Sequence, residues 1–150
     1  MRGGSADAAV YYLTRMIEAG EDPLYIARRM IRFASEDIGL ANNSALMLAT
    51  SVYDACYKTG LPECAVNLAH GAIYLAKSPK SIAAYQAYNQ ACHEVENSGN
   101  LPVPLHLRNA PTKLMKDLGY FKNYKYSPQE DDSQQNYLPD KIINKKFLAT

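Results

Sequence analysis

Glycine and proline alternate along the first hundred residues in an order that suits helix ends and helix starts. Gly20, Gly39, Gly60 and Gly99 fall where helices stop, because glycine takes the left-handed cap conformation without a steric clash. Pro23, Pro62 and Pro79 fall where helices begin, because the first helical N–H has no partner to lose. The spacing predicts five helices, near residues 6–18, 23–38, 43–58, 62–77 and 80–97. A short sixth is expected between Pro111 and Leu118, stopped by Gly119.

Apolar residues recur at the helical period of three and four. In the second helix Leu24, Ala27, Ile31, Ala34 and Ile38 make one stripe, and Ile26, Met30 and Phe33 make another beside it. Only the strip through Arg28, Arg32 and Glu36 is charged, so this helix is expected at the centre of a bundle. The third helix is expected to bury Leu46, Ala49, Tyr53 and Cys56 and to show Thr50, Asp54 and Lys58 to water. The fourth is expected to bury Ala65, Leu68, Ala72 and Leu75, and the fifth Ala84, Tyr88, Ala91 and Val95. No useful stretch of strand alternation occurs. The fold class is therefore all-α.

At 150 residues the chain can bury roughly 70% of its unfolded surface in one domain. No apolar run approaches the ~20 residues that a transmembrane helix needs. Met1 leads into Arg2-Gly3-Gly4-Ser5 with no apolar region behind it, so no signal peptide is expected. Cys56, Cys64 and Cys92 are too few and too scattered for a disulfide framework, which fits a reducing compartment. Three segments are expected: a helical core over 1–100, a Pro-containing basic and aromatic stretch over 101–126, and an irregular tail over 127–150, at most partly docked. Their formal charges are −2, +4 and −1.

Catalytic signatures are missing. No GxxxxGK[ST], GxGxxG, HExxH or GxSxG occurs, and His70, His93 and His106 lie on separate segments. Glu63 and His70 could share a helix face, but such a pair is usually accidental. Cys64, near a helix start, reads better as a buried structural thiol than as a reactive one. Glu36 and Asp37 oppose the helix dipole. They call for a basic partner such as Arg32, or for a contact with another subunit. The one candidate binding segment runs from Arg108 to Tyr126. Lys113, Lys116, Lys122 and Lys125 could meet phosphates, and Tyr124, between two lysines, could stack on a base. The competing account packs Tyr120, Phe121, Tyr124 and Tyr126 back onto the protein and leaves the lysines solvated.

A series of ordered blocks carries a resemblance. Arg2-Gly3-Gly4-Ser5-Ala6-Asp7-Ala8-Ala9, with Tyr12-Leu13 and Arg15-Met16, resembles an RGSDxDAALYxLARM run. Gly20-Glu21-Asp22-Pro23-Leu24-Tyr25-Ile26-Ala27-Arg28-Arg29 and Ala34-Ser35-Glu36-Asp37-Ile38-Gly39 continue it. His106-Leu107-Arg108-Asn109-Ala110-Pro111-Thr112-Lys113-Leu114-Met115-Lys116, Gly119-Tyr120, Tyr124-Lys125-Tyr126 and Tyr137-Leu138-Pro139 close it. Together they resemble the C-terminal half of the RarA/MgsA family of clamp-loader-like AAA+ ATPases. One departure is Phe121, where a glycine is usual after Gly-Tyr.

The resemblance implies a helical oligomerisation and interaction domain of an ATPase that acts at stalled replication forks. It implies a homotetramer, with DNA and single-stranded-DNA-binding protein as partners. It places the parent in the cytoplasm or nucleoid of a bacterium, or in a eukaryotic nucleus. Its start in mid-motif suggests a piece of a longer chain. No cofactor is expected in this piece; ATP and magnesium belong to the ATPase module. The alternative is a nucleic-acid-binding module that uses residues 106–126, with Arg108, Lys113, Lys116, Lys122, Tyr124 and Lys125 as contacts.

Overall fold

A computed structural model describes residues 1–148; of the expected tail, residues 149 and 150 lie outside the described residues. Helices and turns make up the described part, and no strand occurs in it. The helices are α1 (Ala6–Glu18), α2 (Pro23–Phe33), α3 (Ser44–Thr59), α4 (Cys64–Lys77), α5 (Ala83–Ser98) and α6 (Lys113–Asp117). This is the all-α architecture of five main helices and a short sixth that the punctuation predicts. The chain divides into two units, Met1–Gln90 and Ala91–Phe147, with the boundary inside α5.

Side-chain caps explain the starts of α1 and α2. Ser5 Oγ accepts the Ala8 N–H at 3.2 Å. The Asp22 carboxylate accepts the Leu24 and Tyr25 N–H groups at 3.0 and 3.1 Å, and Pro23 stands at the first helical position. Each cap satisfies donors that have no partner within the helix. Pro62 and Pro79, by contrast, do not open helices. They sit in the connecting turns, and α4 and α5 begin at Cys64 and Ala83.

The second helix does not run to residue 38 as one α-helix. It widens into a π-helical turn over Ala34–Ile38 and stops at Gly39, whose φ is +47°. This wider turn buries Ala34, Asp37 and Ile38 together. A side chain at Gly39 would place its Cβ 2.9 Å from the Ser81 carbonyl oxygen, so any other residue there strains the backbone and forces it to shift.

The centre of the first unit is α4, which packs against α1, α2 and α3. Its buried side carries Gly71, Ala72 and Ala76 among Leu68 and Leu75. Small residues let the neighbours close in: a Cβ at Gly71 would lie 3.1 Å from both Met30 Sδ and Val52 Cγ2. Such tight packing shifts the register of α3. It buries Ala45, Ala49, Val52 and Cys56, not Leu46, which is 44% exposed. Tyr53 is half-buried. The seam beside α4 admits alanine and valine, and the larger Leu46 and Met47 turn outward. In α4 itself, Ala65 is half-buried, and Cys64 takes the place expected for it.

No residue of α5 is buried. Ala84 and Ala91 are half-buried, while Tyr88 and Val95 are exposed. The expected inward face is thus only partly covered. Within the second unit, Leu138, Pro139, Ile142 and Phe147 line a cleft of about 400 Å³ together with Ala91 and Val95. Lys145 pairs with Glu94 at 2.8 Å.

Candidate nucleic-acid interface and exposed helix faces

The six basic and aromatic residues picked out by sequence all lie in the second unit, and they are not equivalent. Arg108 is committed internally. Its Nε donates to the Val103 carbonyl at 2.6 Å and its Nη1 to the Tyr120 hydroxyl at 3.4 Å. The guanidinium also lies 5.5 Å from the Tyr120 ring centroid. Lys125 is partly committed: its Nζ donates to the Asp131 carbonyl at 2.9 Å, and its backbone exchanges hydrogen bonds with the Gln135 side chain. Tyr124 stacks on Phe121, centroids 4.8 Å apart and planes 27° apart, so one of its faces is already used.

Lys113, Lys116 and Lys122 are exposed and take part in no ion pair among the described residues. Lys113 and Lys116 ride on α6, which Thr112 caps by accepting the Met115 N–H at 3.3 Å. Lys122 and Lys125 line a polar recess of about 290 Å³ with His106 and Gln135. The backbone around them is tightly wound. Phe121 and Asn123 have φ of +61° and +60°, a region that a bulky side chain adopts at a cost of about 1 kcal/mol. Phe121 is also the position where the related motif carries glycine. The Phe121 N–H donates to the Leu105 carbonyl at 3.0 Å, which pins this loop to the turn at Leu105–Leu107.

In the first unit, the acidic pair has internal partners. Arg32 meets Glu36 at 2.7 Å, and Arg2 meets Asp37 at 2.5 Å. The cysteine question also resolves toward structure. Cys64 has no exposed surface, and burial, with the Cys64 thiol beside it, pushes the Cys56 thiol up to about 12. Glu63 and His70 are both exposed, and no group of three or more potential metal ligands occurs among the described residues.

Two features of this unit escape the periodicity. Leu46, Thr50, Tyr53 and Tyr57 step by four, three and four, so they share one side of α3. Leu46 and Tyr57 there are 44% and 72% exposed, and Met47, about a quarter-turn round the helix, is 65% exposed. On α4, Val66 and Ile73 are exposed at a spacing of seven. The second feature is an aromatic and basic face on α1 and α2, where Tyr11, Tyr12 and Tyr25 are exposed. Its sequence signal is Tyr11-Tyr12 with Arg15 three and four residues on, the spacing that stacks a guanidinium over a ring.

Comparison with known proteins gives a consistent picture. The family described as MgsA AAA+ ATPase C terminal matches residues 3–150. The chain is 49% identical over 151 residues to ATPase WRNIP1 of Dictyostelium discoideum, covering 99% of this chain and 17% of that protein. It is 44% identical over 150 residues to Replication-associated recombination protein A of Coxiella burnetii, covering 98% of this chain and 34% of that one. The Escherichia coli K12 protein of the same name is 40% identical over 150 residues, with the same two coverages. The chain therefore spans about a third or less of the length of these relatives.

Proposed function

The chain belongs to the MgsA AAA+ ATPase C-terminal family, and from that premise we propose that it joins copies of a replication-associated recombination ATPase into a homotetramer, with catalysis, ATP and magnesium residing in the rest of the parent protein. The observation that carries this reading is the exposure of Leu46 and Tyr57 on one side of α3, with Met47 exposed on the adjacent side. Large apolar side chains gathered on one helix side are what self-association buries. Closed symmetric assembly is the usual outcome when identical surfaces meet. Light scattering of the isolated chain tests it: the tetramer mass supports the reading, and a monomer opposes it.

A second reading, direct contact with single-stranded DNA, draws support from Lys113, Lys116 and Lys122, which take part in no ion pair among the described residues. Each phosphate contact to a single strand contributes about 0.7 to the slope of log affinity against log salt, so three give a slope of about −2. Replacing the three lysines by glutamine should flatten that slope. An unchanged slope would leave them as a solvated face.

A further inference from the structure

Beside the exposed tyrosines of α1 and α2 lies a cleft of about 570 Å³. Leu13, Met16, Ile26 and Met30 supply its apolar wall, and Tyr12 and Arg29 also line it. A second recess of about 510 Å³ shares Tyr12 and Met16 with it and adds Arg15. The arginines of this unit divide sharply. Arg2, Arg28 and Arg32 are ion-paired, to Asp37, Asp22 and Glu36. Arg15 and Arg29 have no ion pair among the described residues, and these are the two that line the recesses. Arg15 rests over the Tyr11 and Tyr12 rings, 6.0 and 5.6 Å from their centroids. Glu21 lines the second recess too, but its carboxylate accepts the Asp22 N–H at 3.2 Å and forms no ion pair with Arg15.

We infer that this cleft docks a peptide segment of a partner protein in which a large apolar side chain is flanked by carboxylates. The apolar side chain fills the wall of Leu13, Met16, Ile26 and Met30, where the methionines adapt to its shape. The carboxylates meet Arg15 and Arg29, whose planar donors suit a carboxylate through two hydrogen bonds. A nucleobase fits less well. Its polar edges need donors and acceptors, and of the lining residues Leu13, Met16, Ile26 and Met30 offer none, which leaves only the side chains of Ser5, Tyr12, Tyr25 and Arg29. The inference stands apart from self-association, which rests on α3.

Fluorescence anisotropy on the full chain tests it with three labelled probes. One is a nonapeptide with a central phenylalanine between glutamates, the second replaces the glutamates by glutamine, and the third is an oligothymidine. The glutamate peptide should bind at least about tenfold tighter than the glutamine peptide. The double variant Arg15→Gln, Arg29→Gln should lose that tenfold for the glutamate peptide alone. Both residues are exposed and carry no ion pair among the described residues, so the variant should keep its helical circular dichroism. Its light-scattering mass reports assembly separately from peptide binding. Equal affinity for the two peptides, an unchanged affinity in the double variant, or no binding up to about 1 mM peptide would overturn the inference. So would an oligothymidine whose binding, in place of the peptide's, is lost in the double variant.

Discussion

The Arg2 guanidinium grips the Asp37 carboxylate through two contacts, Nε to Oδ1 at 2.5 Å and Nη2 to Oδ2 at 3.2 Å. They join the segment before α1 to the π-helical turn after α2. Asp37 is nearly buried, whereas the Arg2 side chain is largely solvent-exposed. Removing Arg2 leaves a poorly solvated carboxylate without its partner. Arg2→Met should therefore destabilise the chain, though by less than the loss of a partner from a fully buried pair, because Arg2 is in water. Arg32→Met, which breaks only the more exposed pair with Glu36, should cost clearly less. Urea unfolding of the two variants checks the ratio.

Gly39 and Gly20 separate two reasons for glycine. Both have positive φ, but only a Cβ at Gly39 meets a backbone oxygen, at 2.9 Å; at Gly20 nothing lies within 4 Å. Gly20→Ala should cost about 1 kcal/mol, the left-handed conformation alone. Gly39→Ala should cost about 3 kcal/mol, because the strained backbone and the clash act together. Thermal unfolding of the pair measures the difference.

Why Gly20 and Gly39 end helices could be read from the sequence, since a glycine just past an apolar-periodic run has a local cause. The register of α3 could not. Leu46 and Ala45 differ by one position, and both continue a helical period. The choice between them is made by α4, where Gly71 and its alanines bring the helices too close for a leucine at the seam. The same holds for the basic segment. Lysines at 113, 116, 122 and 125 look alike in sequence, yet Lys125 and Arg108 are held by carbonyls that only the folded turns bring near. That Arg15 and Arg29 lack an ion pair among the described residues is illegible for the converse reason: which of the five arginines of the first unit finds an acid is decided by tertiary packing.

The loop around Asp132 should respond to acid. Hydrogen bonds from Ser127 and Tyr137 hold its carboxyl below the ordinary value of 3.8, and the Ser133 N–H and hydroxyl do the same for Asp131. A depressed folded-state value means that the unfolded chain binds the proton more readily. The stabilisation is then complete above about 3.8 and fades as pH falls through the lower folded-state value. Ring signals of Tyr137 in an NMR titration should move in that range, and Asp132→Asn should remove the movement.

Thiol reactivity should divide by burial. Cys56 and Cys64 are buried and Cys92 is half-buried, and the raised Cys56 value leaves almost no thiolate at neutral pH. Iodoacetamide should label Cys92 in the native protein and reach the other two only under unfolding conditions. Mass spectrometry of the native reaction shows which sites are modified; early labelling of Cys56 would contradict the packing of α3 on α4.

The proposed role in assembly is tested most directly by light scattering coupled to gel filtration, at about 50 μM chain, a concentration at which even an interface of micromolar affinity is largely occupied. The wild-type chain should elute at the mass of a tetramer. Met47→Glu with Tyr57→Glu, two exposed positions of α3 that can accept charge without disturbing the core, should shift it to smaller species while keeping its helical spectrum. A wild-type monomer at that concentration, or a tetramer indifferent to both glutamates, would contradict the assignment of self-association to the outer side of α3.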